Sequence, residues 1–293
     1  MVSFVLIGYN EGHVLADSLS AIQSFCLTED EIIYVDSGSS DESLAIAKDF
    51  NVKIITIEGQ VNAAIARNVG VEKSSGENVV IIDADCKVLN FDRKRVVEGD
   101  SKTVLTSNLL ERDLISGNVY KRSDFRDIQG DQEIEFKGAI FAAKRVVFDK
   151  HKFDSTMRKS QDYLFCSKIR KSGLKLVLTD TMLFEHQTIP YTNKYRLKND
   201  VLSGVYLFHG LLIRKSCLDY SVLFKILQLY GKSWSILSLL LISKYFTLIV
   251  ILFYAFRCKL ELRQIIYSIL RDISPLIGLF YLPKEPEYRI RCI

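Results

Sequence analysis

The stretch Asn78-Val-Val-Ile-Ile-Asp83-Ala-Asp85 decides how this chain is read. Four consecutive β-branched residues after Asn78 form an unbroken apolar run, as expected of a strand covered by helices on both faces. Asp83 and Asp85 stand at its carboxyl end, where open α/β sheets place their ligands. Two carboxylates at that spacing can reach one cation, or a cation and a sugar hydroxyl. Hard ions such as Mg²⁺ and Mn²⁺ take oxygen ligands and keep positions for phosphates and water. Short Asp pairs also make turns and helix caps, so the meaning of this pair depends on its surroundings.

Working outward, residues 2–7 read as a first strand, followed by a polar break at Gly8-Tyr9-Asn10-Glu11-Gly12 and a helix with Val14, Leu15, Leu19 and Ile22 at helical spacing. Residues 31–35 and 52–57 are further strands. The loop Asp36-Ser-Gly-Ser-Ser-Asp41 offers Ser39 or Ser40 as a helix cap, with Asp41 and Glu42 in the first turn. Residues 60–73 form an Ala-rich helix. This alternation predicts a mostly parallel central sheet flanked by helices, an α/β fold. Residues 87–137 are less regular, with edge elements expected at 114–120 and 133–136. Helices follow at 144–148 and 161–172, the latter stopped by Gly173, and short strands at 177–178 and 182–185.

The chain has 293 residues, enough for one large domain or a catalytic domain with an attachment. Its net charge of +4 is unevenly spread: from Tyr191 onward there are 15 Lys+Arg against 6 Asp+Glu, whereas the first 190 residues hold 24 against 29. The division near 190 separates an acidic α/β domain (1–190) from a basic, apolar helical region (191–293). Within the second part, residues 235–256 carry Lys244 as their only charge before the basic Arg257 and Lys259. That length matches the roughly 20 apolar residues of a membrane span. Its Lys and Tyr residues, Tyr245 and Tyr254 among them, fit helices lying at an anionic membrane surface better, and an oligomer interface is the alternative. The N-terminus enters its first strand with no export leader, as expected of a cytoplasmic protein. Six scattered cysteines without a Cys-X-X-Cys cluster read as free thiols in a reducing compartment.

Neighbouring strands would bring Asn10, Glu11, Asp36 and Asp83-Asp85 to one sheet edge. Asp36 can accept hydrogen bonds from a nucleobase imide or ribose hydroxyls. Arg67, in Ala63-Ala-Ile-Ala-Arg67-Asn68-Val-Gly70, can clamp a phosphate, steady those carboxylates, or simply form a surface ion pair; Gly70 permits close helix approach. His186, at a strand end, suits a mixed carboxylate–nitrogen metal site, a phosphate contact or the core. His13, His151 and His209 are surface or packing residues.

Together, Tyr9-Asn10-Glu11, the Asp36–Asp41 loop, Ala66-Arg67-Asn68-X-Gly70 and Asp83-Ala-Asp85 resemble the inverting glycosyltransferase family 2 over about residues 1–190, and bacterial surface-polysaccharide members in particular. The resemblance implies a GT-A fold with a C-terminal helical extension and transfer of a sugar from a nucleotide-sugar donor. It implies that Tyr9, Asn10, Glu11 and Asp36 bind the nucleoside, that Arg67 supports that pocket, that Asp83 contacts ribose or metal, and that Asp85 ligates Mn²⁺ or Mg²⁺, with His186 as a further ligand. Lys137-Gly138-Ala139-Ile140-Phe141 resembles the segment beneath donor sugar and acceptor. Gln161-Asp162 matches the family's Glu-Asp helix start, with Asp162 as base and Gln161 in place of Glu.

The chemistry stands beside the resemblance: an inverting transfer needs a carboxylate by the acceptor hydroxyl, opposite the departing diphosphate. UDP is the preferred donor nucleotide. A saccharide or polyprenyl-linked saccharide acceptor, in capsule or O-antigen synthesis, matches a protein peripheral on the inner membrane face, with a homo-oligomer also open. The basic tail forms no nucleic-acid reading module, and no nucleic-acid partner is expected. The competing functions are a catalytically silent glycan-binding relative and a nucleotidyltransferase; the latter would want a basic phosphate loop where Gly8 to Gly12 has none.

Overall fold

The computed structural model describes residues 1–122, 124–189, 194–242, 247–258 and 261–293. Two compact units emerge, one of residues 1–157, 161–189 and 284–293, the other of residues 158–160 and 190–283. Pro190 and Tyr191, at the expected division, and Lys244, Tyr245 and Lys259 lie outside the described residues.

In the first unit, β1 (Val2–Gly8), β2 (Glu31–Asp36), β3 (Lys53–Gly59) and β4 (Asn78–Asp83) run parallel. α1 (Gly12–Gln23), α2 (Ser43–Lys48) and α3 (Ala63–Lys73) connect them. The order of these strands in the sheet is β3-β2-β1-β4. The alternation of β1 shows why the sheet must be covered twice: Val2, Phe4 and Leu6 enter the core beneath α1, whereas Val5 and Ile7 enter the core on the α3 side. A Cβ on Gly70 would lie 2.1 Å from Val5 Cγ1, so glycine is what lets α3 lie this close to the sheet.

The second half of this sheet departs from expectation. β5 (Cys86–Asn90) and α4 (Arg93–Val97) are followed by β6 (Thr103–Asp113), a long interior strand in the region that reads as irregular. Buried Thr106, Ser107 and Asn108 interrupt its apolar pattern. Two of these have internal partners: Thr106 Oγ1 donates to the Ile140 carbonyl at 2.8 Å, and Asn108 Nδ2 donates to the Arg126 carbonyl at 2.8 Å. The element expected at 114–120 shrinks to β7 (Val119–Lys121), and that at 133–136 to β8 (Gln132–Glu133). β9 (Ile140–Lys144) pairs antiparallel with β4 and leads into α5 (Arg145–Lys150). After α6 (Gln161–Lys171), the two short strands expected at 177–178 and 182–185 are one strand, β10 (Lys175–Thr188), irregular between Thr179 and Leu183.

The second unit contains α7 (Lys194–Leu202), α8 (Leu207–Lys215), α9 (Tyr220–Ile242), α10 (Thr247–Arg257) and α11 (Leu262–Gly278). The apolar run 235–256 is thus divided between α9 and α10, and among the described residues no helix is long and apolar enough to cross a membrane. Buried Asp272 accepts from Arg257 Nη1 and Tyr254 Oη, both at 3.0 Å, and from Arg271 Nε at 2.7 Å. His209 is an interior packing residue: its Nδ1 lies 2.6 Å from Tyr230 Oη, and burial pushes its pKa down to about 4. The expectation of a helical region through 293 needs correction, because β11 (Tyr288–Cys292) pairs antiparallel with β3 and belongs to the first unit.

Candidate active site

The loops after β1 and β2 are stitched together. Asn10 adopts the left-handed conformation, φ 56°, which Asn tolerates better than most residues. Its amide donates to Ser39 Oγ at 2.8 Å, and its side-chain oxygen accepts from the Ser40 amide at 2.8 Å. Glu11 and Gly12 amides, at the start of α1, donate to Ser43 Oγ and Asp41 Oδ2 at 3.1 and 2.9 Å. Ser39 and Ser40 therefore clamp the first loop, and the expectation that one of them caps α2 is corrected: Glu42 occupies that cap position without a side-chain cap bond. Asp36 is fully buried and accepts from the Gly38 and Ser39 amides at 3.0 and 2.9 Å and from Tyr34 Oη at 3.2 Å. Its carboxylate shapes the loop beside Tyr9, whose ring is 57% exposed.

β4 delivers Asp83, and α3 delivers Arg67 to it. Arg67 Nη2 donates to Asp83 Oδ1 at 2.7 Å from a side chain only 2% exposed. The remaining guanidinium nitrogens, Nε and Nη1, are buried without an acceptor, and the group lies 5.2 Å from the Phe153 ring centroid and 6.0 Å from that of Phe141. Of the options open from sequence, a surface ion pair is thus replaced by an inward clamp. Removing one member of a buried ion pair costs about 3–5 kcal/mol; Asp83 keeps 30% exposure, so Arg67→Met is expected to destabilise the fold by about 2–3 kcal/mol, measured by urea denaturation.

Strand register brings His186 to Asp85. β5 starts at Cys86, which pairs with His186 on antiparallel β10, and His186 Nε2 lies 3.0 Å from Asp85 Oδ2. On the other side His186 is in register with Glu111 of β6, and Nδ1 stands 3.7 Å from Glu111 Oε1. Burial works to raise the Asp85 pKa, yet the hydrogen bond and charge of His186 hold it below the usual carboxylate range. Asp83 turns to Arg67, so the expected trio of Asp83, Asp85 and His186 is brought together only in its last two members. Among the described residues no three His, Cys, Asp or Glu side chains form a ready metal cage. Glu111 escapes sequence reasoning because it lies on the unrecognised β6.

Negative charge is in surplus here. Glu11 is pushed up to about 8, first by burial and then by the charges of Asp85 and Asp83. An acid whose folded pKa lies above its unfolded value of 4.5 contributes stability that is full below that pH and lost as pH climbs to about 8. In chelator, Glu11→Gln is therefore expected to gain in melting temperature relative to wild type as pH rises through this window. A difference that stays flat from pH 4.5 to 8.5 would count against the assignment.

The far side of the site is built by β9 and α6. The segment before β9 turns through Ala139 at φ 74°, a conformation unfavourable for Ala, and the Ala139 carbonyl accepts from the Asp83 amide at 3.2 Å. Asp162 opens α6, with Oδ1 accepting from the Tyr163 amide at 2.9 Å. A Cβ on Gly138 would lie 2.2 Å from Asp162 Oδ2, so only glycine leaves the carboxylate its place. The charge of Asp162 reaches both Arg67 and Asp83. Asp162 is thus near enough to the Arg67–Asp83 pair for its charge to be felt there.

A parallel nucleotide-binding half extended by an antiparallel strand and an acid-bearing helix is the GT-A glycosyltransferase fold. The chain belongs to glycosyl transferase family 2, whose model matches residues 3–165. It is similar to the glycosyltransferase AglE of Haloferax volcanii, with 24% identity over 213 residues, 65% of this chain and 68% of AglE. It is also similar to the poly-beta-1,6-N-acetyl-D-glucosamine synthase of Staphylococcus epidermidis, with 29% identity over 151 residues. That match covers 49% of this chain but spans only 34% of the synthase. Among solved structures, GalNAc-T7 crystallised with UDP, GalNAc and Mn²⁺ superposes with a TM-score of 0.57 at 16% identity, covering 73% of this chain and 50% of that one; at this identity the likeness concerns the fold.

Proposed function

We propose that the chain catalyses inverting, metal-dependent transfer of a sugar from a nucleotide-sugar donor to a glycan or lipid-linked saccharide. What supports this reading is Asp162 at the start of α6: its carboxylate packs against Gly138, where only glycine leaves it room, and its charge is felt by Arg67 and Asp83. In this reading Tyr9, Asn10, Glu11 and Asp36 surround the nucleoside, Asp83, braced from below by Arg67, meets the ribose side of the donor, and Asp162 takes the proton of the acceptor hydroxyl as it attacks the anomeric carbon.

A divalent ion, Mn²⁺ or Mg²⁺, fits the donor set of Asp85 and His186, and the neighbouring charges of Asp85 and Asp83, which add to burial in pushing Glu11 up to about 8, supply an electrostatic reason for it. Asp83 is the further candidate ligand through the oxygen not bound to Arg67. Bound there, the ion offsets negative charge on the leaving diphosphate. UDP is the preferred nucleotide, consistent with the UDP and Mn²⁺ found with GalNAc-T7. The setting is surface-polysaccharide synthesis, as the likeness to the staphylococcal synthase suggests, with the helical unit holding the enzyme at the inner face of the cell membrane beside a membrane-held acceptor.

The test is a screen of nucleotide sugars for binding and donor hydrolysis with Mn²⁺ or Mg²⁺, with and without chelator. A UDP-sugar is expected to bind and hydrolyse only with metal. Failure of every nucleotide sugar to bind overturns the proposal.

A further inference from the structure

Amphipathy is inverted along α11. α11 sets Leu262, Ile266, Leu270 and Ile277 on its outer side, each 45% to 70% exposed, while it buries Ser268, Asp272, Pro275 and Gly278. A helix on a water-facing bundle does the opposite. α10 and α9 bury apolar residues, Val250 and Tyr254 on the one and Val222 and Ile226 on the other, yet they too turn apolar side chains outward: Ile249, Leu252 and Phe256, the last 90% exposed, on α10, and Leu223, Phe224 and Leu227 on α9. Inside, Asp272 is bonded by two arginines and a tyrosine, and its carbonyl accepts from Trp234 Nε1 at 2.7 Å. Ionisable groups turned inward and paired, with apolar side chains turned outward, suit surroundings of hydrocarbon and not of water.

We propose that the outer faces of α9, α10 and α11 lie in the interfacial layer of an anionic phospholipid leaflet. Charge decides between lipid and a second copy of the chain as occupant. Residues 190–283 hold 12 Lys+Arg against 4 Asp+Glu, and Lys225 and Arg263 stand next to Phe224 and Leu262. A dry interface between copies is depleted of charge at its centre. Long cationic side chains beside apolar ones instead reach lipid phosphates while their neighbours enter the acyl boundary. No described helix is long and apolar enough to cross, so the faces lie along the leaflet. The inference rests on the membrane-held acceptor above but not on the transfer chemistry.

The experiment floats the full chain with vesicles of phosphatidylcholine, alone or with roughly 30% phosphatidylglycerol, and follows donor hydrolysis in parallel. The wild type is expected to float with anionic vesicles only. A variant combining Phe256→Ser, Ile266→Ser and Leu270→Ser, all exposed positions, should lose at least about tenfold in vesicle affinity with unchanged melting and donor hydrolysis. Hydrolysis without flotation overturns the surface assignment and leaves the transfer reaction standing. Flotation without hydrolysis of any nucleotide sugar does the reverse. A dimer that needs these residues and ignores vesicles also overturns the proposal, in favour of a second copy.

Discussion

Asp162→Asn is expected to lower the turnover number by about 10²–10⁴-fold, the usual contribution of a positioned general base, while donor affinity changes little. The amide keeps the size of the carboxylate and an oxygen for the Tyr163 amide, so the start of α6 should persist. What it loses is the capacity to accept the acceptor's proton. Gly138→Ala gives an independent approach to the same group, because the added methyl would sit 2.2 Å from Asp162 Oδ2 and must drive the carboxylate aside. It should reproduce most of the fall in turnover with the base chemically intact, and the double variant should be little worse than either single one, as for groups acting as a unit. Steady-state kinetics with saturating donor, alongside donor binding by calorimetry, separates the two effects. Full turnover in Asp162→Asn would falsify its role as base.

Asp85→Ala is expected to abolish the metal-stimulated part of donor binding, with a loss of at least about tenfold in Mn²⁺-dependent affinity for UDP. The carboxylate is held below its usual pKa by His186, so it stays charged at neutral pH and ready for a cation. Its removal also leaves His186 without the partner 3.0 Å away and takes from Glu11 the strongest of the charges that push its pKa up. Glu11 should then titrate at lower pH, a change that carboxyl-resolved NMR can follow without any activity assay. Donor binding that remains fully metal-stimulated in this variant would remove Asp85 from the metal site.

The parallel half of the sheet was legible because its strands are uniformly apolar and its loops are rich in Gly, Ser, Asn and Asp; hydrophobic periodicity and turn chemistry agree there. The loop carboxylates and Arg67 followed from the chain order of those strands. β6 was not legible, since its buried Thr106, Ser107 and Asn108 look like a loop until the distant partners of Thr106 and Asn108 are known. Glu111 was lost with it. The role of Ser39 and Ser40 failed for a related reason: local capping rules do not foresee that Asn10 of the neighbouring β1 loop offers a donor to Ser39 and an acceptor to Ser40. The run 235–256 was read by its composition, whereas burial of polar residues on α11 is a property of packing that composition does not contain.

The pairing of β11 with β3 changes the mechanical status of the helical unit. It is held in the sheet at both ends, by β10 before it and β11 after it, and is therefore an insertion in the catalytic unit and not a pendant tail. One backbone cut within it would leave each fragment carrying a strand of the same sheet, so the nicked protein should stay assembled until denaturant separates β11 from β3.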